Sequence, residues 1–178
     1  MIRAKLMGTL CAAFCLAAVA GDAVQARDGD RRGDRHRNVF VVKLDSFQEV
    51  PTLVTPGSGS ATLRIDGSTI RYTLEYRATE STVTQAHIHI GRPAVNGGIS
   101  AFLCTNLGNG PAGTPACPKS GRVSGTIRQA TGPEAQGVDN IGELIRAIRA
   151  GAVYVNVHSA KYPAGEIRGD VHRHGHHH

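Results

Sequence analysis

The sequence predicts an all-β fold: an antiparallel, Greek-key-like sandwich or barrel of about eight strands with one short helix. Three observations point there. Short segments rich in β-branched and aromatic residues recur along the chain, alternating apolar with polar. Turn formers separate them at regular intervals, as in sandwiches and barrels. Only one segment carries a helical period, so helices cannot cover two faces of a sheet.

The first strand is expected in "NVFVVKLDSFQ", from Asn38, followed by a proline-containing turn region, "EVPTLVTPGSG". "SATLRID" and "TIRYTLEYRA" alternate cleanly and meet at Gly67-Ser68, a two-residue hairpin signal after Asp66. "VTQAHIHIG" reads as the next strand, ended by Gly91 and Pro93, and "GGISAFL" as another. "GRVSGTIR" follows a loop of turn formers. In "VDNIGELIRAIRAG", about residues 138–150, Ile141, Leu144, Ile145 and Ile148 share a helical face. Asp139 is the expected N-cap and Gly151 the stop. "AVYVNVHSA" and "GEIRGDV", linked by a turn at Tyr162–Gly165, are the last two strands.

The ends of the chain read differently. Arg3 and Lys5 precede an apolar run from Leu6 to Ala20, and small residues fit cleavage after Ala20 or Ala26. That is the pattern of a signal peptide over 1–26, so a secreted or periplasmic protein is expected, with no membrane span. Residues 27–37, "RDGDRRGDRHR", form a charged linker, 38–171 the folded domain, and 172–178, "HRHGHHH", a histidine-rich tail able to chelate divalent metals. Export leaves two cysteines, Cys104 and Cys117, and an even pair in an oxidising compartment is expected to form one disulfide. The net charge of +6 is diffuse, and aromatic content is only 4%, so base-stacking nucleic-acid binding finds no support. An extracellular protein or an anionic cell-surface polymer remains a possible partner.

Histidines carry the chemistry. Alternation puts His87 and His89 on one face of their strand, opposite Ile88 and Ile90. It likewise puts Tyr154, Asn156 and His158 on one face, opposite Val153, Val155 and Val157, and sets Glu166 and Arg168 together across from Ile167. A strand-borne His-x-His brings two imidazoles within reach of one ion, and a third from a neighbouring strand completes a minimal zinc or copper set. The same residues also suit a hydrogen-bonded network in which Arg168 pairs with Glu166. Spacing alone leaves both readings open. No phosphate loop, nucleophile elbow or free cysteine is present to suggest other enzyme classes.

"LDSFQEVP", "AHIHIG" and "YVNVHSAKYPAGEIRGDV", with a helix ending at a glycine just before "VYVNVH", resemble the CHRD domain, a module named for chordin and widespread in secreted bacterial proteins. The resemblance runs over roughly residues 38–172 and implies an extracytoplasmic β-sandwich. A more distant resemblance joins the order "AHIHIG", "NVHS", "GEIRG" to copper–zinc superoxide dismutases. It implies that His87, His89 and His158 bind copper and that Arg168 guides a small anion in catalysis; Asn156 and Glu166, which share strand faces with His158 and Arg168, are expected to support them. The bridging histidine and zinc ligands of those enzymes have no counterpart, because no histidine lies between Gly91 and Gly151. A fourth ligand would have to come from His36 or the tail.

Overall fold

The structure, a computed structural model, describes residues 38–119, 121–131 and 136–172. The expected signal peptide, the charged linker with His36, and tail residues 173–178 lie outside the described residues. Alternating sequence becomes strand almost wherever expected. The elements are β1 (Val39–Asp45), β2 (Ser58–Asp66), β3 (Thr69–Arg77), β4 (Val83–Ile90), β5 (Ile99–Thr105), β6 (Gly121–Ile127), α1 (Ile141–Arg149), β7 (Val153–Ser159) and β8 (Ile167–Asp170).

The eight strands form one sheet in the order β5-β4-β7-β8-β1-β2-β3-β6, and every pairing is antiparallel. The sheet curls until its two edges nearly meet. There Tyr72 Oη of β3 donates to Leu103 O of β5 at 2.6 Å, and the Tyr76 hydroxyl donates to Pro118 O. A Cys104–Cys117 disulfide ties β5 to the segment before β6, across a loop rich in turn formers. The curled sheet is thereby a nearly closed barrel, which leaves little bare strand edge for pairing with other chains.

Each strand turns its apolar parity towards one hydrophobic core. Phe40, Val42 and Leu44 of β1, Leu63 of β2, Leu74 of β3, and Val153, Val155 and Val157 of β7 belong to it. Helix α1 contributes Leu144, Ile145 and Ile148. It starts one residue later than Asp139 would cap. Asn140 is the N-cap, its Oδ1 accepting from Glu143 N at 3.1 Å, while Glu143 Oε2 accepts from Asp139 N at 2.8 Å. This is a reciprocal capping arrangement that engages the backbone of Asp139 rather than its side chain. Gly151 ends the helix with φ of +63°, a conformation glycine adopts without a Cβ penalty.

The opposite parity is where the molecule divides. On β1, β2, β3 and β6 it is open to solvent. On β4, β7 and β8 it is buried, because three loops fold over it: the β1–β2 loop, the β4–β5 loop and the β7–β8 loop. As a result all seven residues of β7 are buried, on both faces.

Candidate metal centre

Register brings the predicted residues together. His87 of β4 lies opposite Asn156 of β7, which lies opposite Arg168 of β8, and His89 lies opposite Tyr154. On its other side β4 is irregular, with register shifts against β5 on both sides of the His87–Ile88 pair. Such bulges re-aim side chains. The rings of His87 and Phe102 meet edge to face at 4.4 Å.

One ring nitrogen each of His87, His89 and His158 lies within 4.8 Å of the others, and no other cluster of this kind occurs among the described residues. All three are buried: His87 is 0% exposed, His89 7% and His158 6%. Backbone carbonyls set two of the rings. His89 Nδ1 donates to Gly97 O and His158 Nδ1 to Pro163 O, each at 3.0 Å. Their Nε2 atoms must then carry lone pairs. His87 Nδ1 lies 3.1 Å from His158 Nε2, and the Nε2 atoms of His87 and His89 have no hydrogen-bond partner.

Electrostatics keep these rings neutral. Burial, reinforced by the neighbouring imidazoles, pushes the His87 pKa down to about 2. Burial pushes His89 down to about 4 against the opposing pull of its Gly97 bond, and burial also lowers His158. Neutral imidazole is the form that binds metal. Two donors on one ion at about 2.1 Å each can be at most about 4.2 Å apart. The cluster, spread over no more than 4.8 Å, therefore fits an ion after small ring shifts.

The remaining predicted residues are nearby but differently employed. Arg168 is 0% exposed and does not pair with Glu166. Its Nε and Nη2 bind Asp170 Oδ1 at 3.3 and 3.0 Å, Nη2 also donates to Arg92 O and Val95 O, and Nη1 donates to Asn96 Oδ1. The guanidinium thus anchors the β4–β5 loop. Its Cζ sits 3.6 Å from the centre of the Tyr154 ring, which also stacks on His89 at 4.8 Å. Glu166 faces another loop, its Oε1 accepting from Glu80 N at 2.7 Å. Asn156 Nδ2 donates to Glu49 Oε2 at 3.3 Å.

Sequence reasoning missed Glu49 as part of this layer. The β1–β2 loop inserts it: Ser46 Oγ both accepts from Thr55 N and donates to Thr55 O, pinching the loop and turning Glu49 inward to 5% exposure. Burial pushes its carboxyl up to about 7, even though the Asn156 bond and the Arg168 charge act in the opposite direction. Glu49 Oε1 and Asn156 Oδ1 are both buried without a partner. They lie within 2.8 and 2.6 Å of the point where a Gly165 side chain would begin. Kept protonated by burial, Glu49 accepts from Asn156 at Oε2 and holds a donor at Oε1 on the side where Asn156 Oδ1 lacks one. The only sequence hint was the place of Glu49 within "LDSFQEVP".

Searches of curated proteins and of solved structures return no match to this chain. A family model described as the CHRD domain matches residues 40–171, from the second residue of β1 to the residue after β8, and so takes in every element of the barrel. The chain belongs to the CHRD-domain family.

Proposed function

We propose that this is an exported metal-binding module in which His87, His89 and His158 hold one copper ion. One observation carries the reading: His87 and His89 each bury an Nε2 with no partner, beside a third imidazole whose own Nε2 lone pair faces His87. An unsatisfied buried acceptor costs about 1–3 kcal/mol, and an ion would satisfy several at once. The carbonyl bonds at the far nitrogens of His89 and His158 are the support that metal-bound histidines usually have. Three imidazoles with neither thiolate nor carboxylate suit copper or zinc. Between the two, the order of motifs shared with copper–zinc superoxide dismutases favours copper. The disulfide and the family are compatible with a place outside the cytoplasm.

The test is copper stoichiometry, with the disulfide intact, in protein lacking residues 172–178. One ion per chain is expected, with none after His87→Phe, His89→Phe and His158→Phe together. Tail-less protein that holds no more copper than this triple variant would end the proposal.

Superoxide chemistry would extend the same reading, with the dismutase-like order of motifs as its support. Arg168 adds little to it, because a buried guanidinium bonded to Asp170 and three loop oxygens is not free to meet an anion. A second reading, in which the histidines only brace the strands, draws on the His87–His158 bond, which needs no ion. It predicts that His87→Ala destabilises equally with and without a chelator.

A further inference from the structure

Where the loops stop, the outer face of the same sheet continues uncovered, and its pattern is chemically specific. Across β1, β2, β3 and β6 the register sets Lys43, Ser60, Glu75 and Arg122 in one row. The next row is Val41, Thr62, Thr73 and Ser124, and the next Val39, Arg64, Arg71 and Thr126. At the near end Asp45, Ser58 and Arg77 continue the row that holds His87, Asn156 and Arg168 under the loops. With strands about 4.8 Å apart and alternate residues about 6.7 Å apart, the open face is a grid of hydroxyls with cations around it.

The acids on this face are already engaged. Asp66 pairs with Arg71, Glu75 lies 3.5 Å from Arg122, and Asp45 accepts from Gln48 N and Nε2. Lys43, Arg64 and Arg77 have no acidic partner among the described residues, although all three are exposed. The side chains of this face leave depressions between them. A trough of about 710 Å³ that includes Lys43 and Arg77 adjoins one of about 350 Å³ that includes Arg64 and Arg71, and the two share Ser60, Glu75 and Arg122.

We propose that this trough binds a linear anionic polysaccharide, with Lys43, Arg64 and Arg77 meeting its acidic groups and the serine and threonine hydroxyls its sugar hydroxyls. Guanidinium groups pair well with carboxylate or sulfate, and hydroxyls give and accept bonds from sugars. The face is poorly made for other anions. Tyr72 and Tyr76 of β3 turn into the core, so nothing on the face stacks on bases. Val41 is its one large exposed apolar side chain among the described residues, which is too little to enter a membrane. This inference does not rest on the copper reading.

The test measures retention of the full chain on immobilised sulfated dextran and on polygalacturonate, with neutral dextran and anionic phospholipid vesicles as separate arms. Lys43→Ser, Arg64→Ser and Arg77→Ser together are compared with Arg92→Ser, Arg146→Ser and Arg149→Ser, which remove equal charge elsewhere. Thermal midpoints of both variants establish that they fold. The expected result is salt-sensitive binding to either polysaccharide, weakened at least tenfold by the first triple and less than threefold by the second. Equal weakening by the two triples would show attraction by net charge alone and overturn the proposal. So would binding to vesicles without binding to polysaccharide, or no binding at all.

Discussion

Replacing Glu49 with glutamine tests the buried layer beside the histidines. The carboxyl moves from a midpoint of 4.5 in the unfolded chain to about 7 in the folded one, chiefly through burial. Between those values the folded state binds more protons than the unfolded state, so stability falls as pH rises from 4.5 and levels off above about 7. At 1.36 kcal/mol per pH unit the accumulated loss is about 3 kcal/mol by pH 8. Glutamine is neutral at every pH and can both accept from Asn156 Nδ2 and donate to its Oδ1. Glu49→Gln should therefore be about 3 kcal/mol more stable than the parent at pH 8, and within about 1 kcal/mol at pH 5. Urea unfolding of both proteins at pH 5, 6, 7 and 8 measures this, and the histidine contributions cancel in the difference. An advantage that is absent at pH 8, or constant across the series, would refute the assignment of a proton to Glu49.

Acid should act through the histidines in the opposite sense. His87 and His89 titrate at about 2 and 4 when folded, below the ordinary 6.5, so the unfolded chain takes up protons first as pH falls below 6.5. Each then costs about 2 kcal/mol by pH 5. Measured in the Glu49→Gln background, stability should drop between pH 7 and 5, and a flat profile would contradict neutral buried rings. Arg168→Lys removes the fork that reaches Asp170, Asn96 and two carbonyls of the β4–β5 loop. A loss of about 2–4 kcal/mol is expected, with faster hydrogen exchange at Val95 and Gly97. Unchanged exchange there would argue against the anchoring role. Replacing both Cys104 and Cys117 by serine opens a loop of sequence separation 13, and should lower stability by about 3 kcal/mol in denaturant unfolding. A change under 1 kcal/mol would mean that the loop is ordered without the bond.

What sequence determined about this protein is what depends on neighbours along the chain. Alternation is a property of extended backbone, so the strands, and the common face of His87 and His89 or of Asn156 and His158, were legible without coordinates. The helix was legible too, except that Asn140 and not Asp139 caps it, a choice made by one hydrogen bond to Glu143. The family resemblance gave the order of the motifs, but not what surrounds them. Alternation cannot say whether a polar face meets water or lies under a loop. Here the same face does both, open along β1–β2–β3–β6 and covered along β4–β7–β8.

Only tertiary structure decided the partners. Arg168 and Glu166 share a strand face, yet one binds Asp170 and the β4–β5 loop while the other receives Glu80 N. Glu49 reaches Asn156 across a sequence separation of 107 residues because a pinched loop carries it inward. These contacts are set by strand order, register and loop closure, which place distant residues at bonding distance and remove them from water. The chain therefore named the three imidazoles, and the fold alone buried them, kept them neutral and left two of their nitrogens without a partner.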